Sequence, residues 1–277
     1  MFTYFVSDVH LGLDVADPAG REARFVRFLR EIPVMRTSAV YLLGDIWDFW
    51  YEYRDVVPKG SVEVFAAIRE LIRAGIKVYF FQGNHDIWSY KYFEEMGMIR
   101  LQQPYDVEID GKHFCLGHGD GLGPGMRGYK FMRRCFHNRV LQVLFSSLHP
   151  WFAFRLGKGW SKSSRLAKNT DYEFKGTAEP LFKYCLAYPH PVDYFIFGHY
   201  HCHIDIPVGP NGAFGTPTTV TTTPTTVSVA PVNPVAPTTP VSPGTPTGTP
   251  RLLLLRDWIS CSNWIEFDGT TCRYIEQ

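Results

Sequence analysis

The 277-residue sequence lacks the features of a membrane-spanning or disulfide-bonded protein. No stretch approaches the roughly 18 uninterrupted apolar residues that indicate a transmembrane helix. The six cysteines form no C-x-x-C pair and show no regular spacing, which is typical of reduced, structural thiols in a cytosolic protein. The N-terminal stretch MFTYFVSDVH enters a strand directly, without the basic and apolar regions of a signal peptide. We therefore expect a cytoplasmic protein that is soluble or lies on a surface.

Acidic residues are absent from residues 121–170, which contain ten Lys and Arg. Because the whole chain has a formal charge of +1, the rest of it carries 1 − 10 = −9. Aromatic and aliphatic side chains recur in this stretch at helical spacing, among them Phe131, Leu144 and Trp151. One hypothesis is a helical hairpin with a solvated basic edge. The hypothesis that we favour is a lid for an amphiphile, with apolar faces for acyl chains and cations for phosphates.

Charged and aromatic residues are both absent from residues 216–250, which hold thirteen Thr and nine Pro. This composition buries too little apolar surface to offset the entropy lost on ordering, so it predicts a disordered or polyproline-like insert. Strand-like runs resume at residues 252–255, 263–267 and 272–275, and the last two flank a hairpin signal at Asp268-Gly269. We therefore expect the insert to interrupt a single domain that spans residues 1–277.

Strand-like runs alternate with amphipathic helical patterns through the first hundred residues. Residues 2–6, 39–43 and 77–81 indicate strands, and residues 21–31 and 62–74 indicate helices. This βαβ order predicts an α/β fold with a partly parallel sheet. In such sheets, the loops at the carboxyl ends of the strands carry the chemistry.

Five short motifs place an acid, an amide or an imidazole directly after a hydrophobic strand: SDVH, LLGDIWD, FQGNHD, LGHGD and FGHYHCH. A single such residue is usually a cap or turn residue, but turn chemistry does not explain five in succession. Asp, Asn and His ligands without thiolates suit Mn²⁺, Fe²⁺ or Zn²⁺. Their number exceeds the needs of one ion and fits a metal pair that clamps a phosphoryl centre.

The order of these motifs resembles the calcineurin-like metallophosphoesterases. The D-x-H, G-D-x-x-D, G-N-H-D/E, G-H and G-H-x-H blocks of that family appear here in order between residues 8 and 201. The resemblance implies a four-layer α/β/β/α sandwich, in this chain with a helical lid insertion. It also implies two divalent metal ions as cofactors, for which we expect Mn²⁺.

The resemblance also implies a role for each motif side chain. The ligands implied for one ion are Asp8, His10 and His201. Those implied for the other ion are Asn84, His118 and His199, with Asp45 bridging the pair. His85 is expected to contact the phosphate or to protonate the leaving group, oriented by Asp86. His203 is left over, and we expect it to have a surface or loop role.

Within this superfamily the sequence looks most like the UDP-2,3-diacylglucosamine diphosphatases of the lipid A pathway. The likeness includes the DVHL start, the aromatic-rich stretch after GD and the insertion directly after HGD. It implies cleavage of a lipid-linked nucleotide sugar, UDP-2,3-diacylglucosamine, to UMP and 2,3-diacylglucosamine 1-phosphate at the inner-membrane surface. The substrate contacts that it implies are Asn84, His85, Tyr129, Arg133, Ser161, Lys168 and His199.

The sequence departs from that family at three places. His85 stands where the well-known branch has Arg, and Met126 stands where we expect an acidic substrate contact. The Thr/Pro tract replaces a short turn. The alternative is another phosphodiesterase, or a nuclease whose basic segment follows a nucleic-acid backbone. The long apolar helical stripes argue against nucleic acid, and the filled ligand positions argue against a noncatalytic scaffold.

Overall fold

The computed structural model describes residues 1–167, 173–209 and 248–277, except for the side chains of Lys158, Trp160 and residues 161–167. The strands are β1 (Phe2–Val6), β2 (Thr37–Leu42), β3 (Lys77–Phe81), β4 (Ile99–Leu101), β5 (Tyr105–Ile109), β6 (Lys112–Leu116), β7 (Tyr194–Phe197), β8 (Ile204–Pro207), β9 (Arg251–Leu254), β10 (Asn263–Phe267) and β11 (Cys272–Glu276). The α-helices are α1 (Pro18–Glu31), α2 (Val62–Arg73), α3 (Tyr92–Glu95), α4 (Arg127–Phe136), α5 (Arg139–Ser146), α6 (Pro150–Ala167) and α7 (Pro180–Leu186).

The described strands form two sheets. The first has the order β11-β10-β1-β2-β3-β4, and the second has the order β5-β6-β7-β9-β8. β1, β2, β3 and β4 run parallel, as do β6, β7 and β9 in the second sheet. The carboxyl ends of β1, β2 and β3 therefore share one edge of the first sheet, and those of β6, β7 and β9 share one edge of the second.

Alternating side chains along the strands build separate cores on the two faces of each sheet. Val6 of β1 packs in a cluster with Phe25 of α1 and Ile68 of α2, whereas the neighbouring Phe5 packs in the cluster between the sheets. On the far face of the second sheet, Phe195 packs in a cluster with residues of α7. The layers therefore run helix, sheet, sheet, helix. This confirms the predicted four-layer α/β/β/α sandwich.

Helices α4, α5 and α6 leave the sandwich after β6, inside the stretch that lacks acidic residues. Neither α4 nor α5 buries a side chain fully. The segment contacts the loops after β2 and β3: Tyr51 Oη donates to the Gln142 carbonyl at 2.9 Å, and Trp88 Nε1 donates to the Phe136 carbonyl at 3.0 Å. The Trp88 ring also stacks on Phe145 at 5.4 Å. Among the described residues, no helix combines the length and the apolar character needed to span a bilayer.

Most of the Thr/Pro tract, residues 216–247, lies outside the described residues. The strands on either side of it are partners, since β8 pairs antiparallel with β9 and Pro207 lies opposite Arg251. The Val208 N–H donates to the Pro250 carbonyl at 2.7 Å. The chain therefore leaves and re-enters the same sheet at adjacent points.

Candidate dinuclear metal site

The loops that follow β1, β2 and β7 bring four candidate ligands together. Ligand atoms of Asp8, His10, Asp45 and His201 all lie within 4.8 Å of one another. Nε2 of His201 lies 3.1 Å from Oδ1 of Asp8 and 3.3 Å from Nε2 of His10. Two imidazole nitrogens and a buried carboxylate oxygen thus converge on one point.

A second group lies on the other side of Asp45. Nε2 of His118 is 3.3 Å from Oδ2 of Asp45 and 3.3 Å from Oδ1 of Asn84. The ring of His199 lies 5.1 Å from that of His118. Asp45 therefore contacts both groups, which is the position that a bridging carboxylate requires.

Each of these aspartates uses one oxygen to hold a neighbouring loop. Oδ2 of Asp8 accepts the His199 N–H at 2.9 Å, and Oδ1 of Asp45 accepts the His85 N–H at 2.8 Å. The other oxygen of each carboxylate is left to face the imidazoles. Oδ1 of Asp8 is buried and has no aligned hydrogen-bond donor among the described residues, although His201 lies close to it.

Three imidazoles direct Nδ1 outward, away from the centre. Nδ1 of His118 lies 3.0 Å from the Leu43 carbonyl, and Nδ1 of His85 lies 2.7 Å from the Asp48 carbonyl. Nδ1 of His201 lies 3.3 Å from Oδ2 of Asp257. Because these oxygens can only accept, they hold the hydrogen on Nδ1 and leave Nε2 to face the centre. Together with Oδ1 of Asp8, Nε2 of His118 and Nε2 of His201 form a donor set that fits divalent ions.

The loops that carry the candidate ligands can approach one another closely because Gly83 and Gly198 have no Cβ. A Cβ on Gly198 would lie 2.2 Å from Oδ2 of Asp8, and one on Gly83 would lie 2.1 Å from Oδ1 of Asp45. The candidate ligands themselves adopt a conformation that L-residues rarely populate. Those with positive φ are Asp8, His10, Asp45, His199 and His201.

Comparison with known families shows the family to which the chain belongs. Residues 3–203 match the family model described as calcineurin-like phosphoesterase. The chain belongs to this family. It is therefore a metal-dependent phosphoester hydrolase.

Relatives align over most of the chain. A protein from Porphyromonas gingivalis named UDP-2,3-diacylglucosamine hydrolase is 31% identical, and the alignment covers 97% of this chain and 94% of that protein. A protein of the same name from Salmonella dublin is 32% identical over 73% of this chain and 82% of its own length. A solved dimetal phosphatase from Danio rerio aligns over 99% of this chain and 98% of its own at 12% identity, with a TM-score of 0.41.

Charge pairing sets the protonation of the phosphoesterase site in the metal-free protein. Burial lowers the pKa of the His118 imidazole, but the Asp45 carboxylate outweighs burial and raises the pKa to about 10. Burial and Asp8 oppose each other in the same way at His201, whose pKa rises to about 9. Burial raises the pKa of both aspartates, but the neighbouring imidazoles outweigh it and hold each pKa below its usual value. A metal ion that binds here must displace protons from the imidazoles.

Asp86 was expected to orient His85, but the hydrogen bonds described for its carboxylate go to backbone N–H groups. The Asp86 carboxylate turns away and accepts the backbone N–H groups of Gly83 at 2.7 Å and Ile46 at 2.9 Å. It therefore ties the loop after β3 to the loop after β2. The ring of His85 is held instead by Asp48, the second acid of the G-D-x-x-D block, whose Oδ1 also lies 3.4 Å from Nδ1 of His10.

The predicted lid contacts lie beside the site but are paired with protein. The Tyr129 ring lies 5.9 Å from His199, and its hydroxyl donates to Oδ2 of the buried Asp120 at 3.0 Å. Nε of Arg133 lies 3.0 Å from the same oxygen. The remaining predicted contacts are not described: Lys168 lies outside the described residues, and so does the side chain of Ser161.

Two further residues of this region, neither of them a proposed ligand, are His203 and Asp257. The ring of His203 stacks on Tyr274 with centroids 3.6 Å apart, outside both ligand groups. Asp257, which contacts His201, was missed by the sequence motifs. It follows β9 just as the other acids follow their strands, so the signal was an acid after the run LLLL.

Proposed function

We propose that this phosphoesterase hydrolyses the diphosphate of UDP-2,3-diacylglucosamine to UMP and 2,3-diacylglucosamine 1-phosphate. The observation that carries the proposal is a two-part ligand set that shares Asp45. This site lies in a chain that aligns along nearly its whole length with a relative named for that substrate. This reaction belongs to the synthesis of lipid A.

The ligand set suits two divalent ions, and Mn²⁺ is the ion that we propose. The residues that would hold one ion are Asp8, His10 and His201. The residues that would hold the other are Asn84, His118 and His199, with Asp45 between the two. When bound, such a pair stabilises the charge of a transferring phosphoryl group and makes water a nucleophile near neutral pH.

We propose that His85 acts on the substrate, although it also forms a possible ligand group with His10 and Asp48. The Asp48 carbonyl keeps the hydrogen on Nδ1, and Nε2 then faces the centre, 3.9 Å from Oδ2 of Asp45. In its protonated form, this nitrogen donates a hydrogen bond to a phosphoryl oxygen or a proton to the leaving group. His85 is thus the proposed acid of the reaction.

Helices α4 to α6 supply the surface for the lipid part of the substrate. They expose large apolar side chains at Phe131, Val140, Val143, Leu144 and Trp151, inside the stretch without acidic residues. Apolar side chains among cations fit acyl chains and lipid phosphates at the inner-membrane surface. A charged nucleic-acid backbone would not cover this apolar surface. The surface therefore favours the lipid substrate over a nuclease activity.

The test compares substrates that differ only in their acyl chains. With Mn²⁺, the protein should turn over UDP-2,3-diacylglucosamine much faster than UDP-N-acetylglucosamine, with UMP and the acylated sugar 1-phosphate as products by mass spectrometry. Bis-p-nitrophenyl phosphate and single-stranded DNA test for a general phosphodiesterase and a nuclease. Asp45→Asn should be inactive on every substrate. Equal rates on UDP-2,3-diacylglucosamine and UDP-N-acetylglucosamine, or a preference for DNA, would contradict the proposal.

A further inference from the structure

We propose that Asp257 is a positioning residue that orients His201 toward its metal ion. The inference rests on the metal pair of the proposed function. Asp257 follows β9, and it lies beyond residues 3–203, which the family model covers. Because β9 lies next to β7 in the second sheet, the loop after β9 comes close to the loop that carries His201.

The Asp257 carboxylate is held by its own loop. Oδ1 accepts the Ile259 N–H at 3.0 Å, which leaves Oδ2 at 3.3 Å from Nδ1 of His201. The Asp257 carbonyl accepts the Asn263 side-chain amide at 3.0 Å. Both ends of the residue are therefore fixed, and the carboxylate meets the imidazole in one orientation.

Trp258, the residue after Asp257, connects this loop to Asp8, another proposed ligand of the same ion. The Trp258 N–H donates to the Asp8 carbonyl at 3.0 Å. Its indole is fully buried, edge-on to Phe25 at 5.3 Å and to Phe28 at 5.7 Å. A single two-residue segment thus touches the backbone of one proposed ligand and the side chain of another.

A carboxylate on the outer nitrogen of a metal-binding imidazole has a known effect. It fixes the hydrogen on that nitrogen, sets the plane of the ring and makes the inner nitrogen a stronger donor to the ion, and its loss weakens metal binding by about 10–100-fold. Asp257 is placed to do this for His201. Among the described residues, Asp257 makes no hydrogen bond or ion pair with His118 or Asn84, which would hold the other ion.

The test is Mn²⁺ binding to the metal-free protein, with free Mn²⁺ counted by electron paramagnetic resonance. Asp257→Ala should weaken one of the two sites about 10–100-fold and leave the other near its wild-type affinity. Asp257→Asn should fall between Ala and wild type, because its single amide oxygen must serve two donors, the Ile259 N–H and the His201 Nδ1–H. The exposed Asp14 supplies the control, and Asp14→Ala should leave both sites unchanged.

The outcomes separate this inference from the proposed function. Wild-type affinity at both sites of Asp257→Ala would overturn it. Equal weakening of both sites, with a lower melting temperature of the metal-free variant, would also overturn it, because that pattern marks general damage to the fold. A wild-type protein that binds two ions but does not cleave the acylated nucleotide sugar would contradict the proposed function alone.

Discussion

His85 and His203 show how surroundings decide what a histidine does. Nδ1 of His85 is held by the Asp48 carbonyl, and its ring lies edge-on to that of His10 at 5.1 Å. His203 lies against Tyr274 with nearly parallel rings, and burial lowers the pKa of its imidazole. One side chain is aimed at the centre of the site, and the other is stacked on Tyr274 of β11, in the first sheet.

His85→Ala should lower kcat by about 10²–10⁴, the usual contribution of one acid or base, while both ions stay bound. The reason is that His85 is proposed to contact the transferring group, whereas the proposed ligands are other side chains. His203→Ala is the matched control and should keep both the rate and two bound ions. Steady-state kinetics with metal analysis on the purified variants measures both. Loss of an ion from His85→Ala would place His85 among the ligands and refute this division of roles.

At the level of secondary structure, α4 is fixed to the sandwich through one buried carboxylate. Asp120 accepts from Tyr129, lies 3.0 Å from Nε of Arg133 and receives the Gln103 side-chain amide at 2.6 Å. Gln103 in turn accepts the Gly119 N–H at 2.7 Å. The start of the helical segment is therefore tied to the loop that carries His118, so the position of α4 and the shape of the ligand set depend on each other.

Arg133→Ala should lower the free energy of unfolding by about 1–2 kcal/mol, because it leaves the buried Asp120 carboxylate with one cation fewer. The next residue supplies the matched control, since Arg134 is exposed. Arg134→Ala should change stability by less than about 0.5 kcal/mol. Urea unfolding of the two variants makes the comparison. Equal effects would show that the contact with Asp120 does not stabilise α4.

At the scale of the whole molecule, the proposed site depends on how the two sheets come together more than on the length of the chain between their strands. Asp8, Asp45 and Asn84 come from the first sheet, and His118, His199 and His201 come from the second. The long insertion leaves the second sheet between β8 and β9, where Val208 and Pro250 already share a hydrogen bond. It therefore enters and leaves at a point where the sheet is closed by its own backbone pairing.

Replacing residues 210–247 by a four-residue Gly-Ser turn should preserve turnover and raise the free energy of unfolding by up to about 2 kcal/mol. The replaced stretch contains no charged side chain, and it carries none of the proposed ligands. Shortening the loop to about a tenth of its length changes its closure free energy by only about 2 kcal/mol, in favour of the folded state. Thermal unfolding and turnover of the acylated substrate test this. A variant that binds two ions and cleaves a small diester, yet fails on the acylated substrate, would show that the insertion contributes to lipid binding.

Much of this protein is determined by local sequence. The alternation in Phe5 and Val6 determines which side chain enters which core, because successive strand residues point to opposite faces. The acids and histidines that follow the strands were predicted as a metal site, and the structure brings Asp8, His10, Asp45 and His201 together. Acids and histidines at strand ends can be recognised in the sequence because a strand and the loop that follows it are contiguous in the chain.

Only the tertiary structure decided which side chains pair across the site. Asp86 and Asp48 are both acids near His85. The packing of the loops after β2 and β3 places the Asp86 carboxylate on backbone N–H groups and Asp48 beside the His85 imidazole. Arg133 faces Asp120, and Asp257 reaches His201 only because β9 lies beside β7. These partners are remote in sequence or depend on the direction in which a loop turns. Periodicity along one strand therefore carries no information about them, and the stacking of two sheets supplies it.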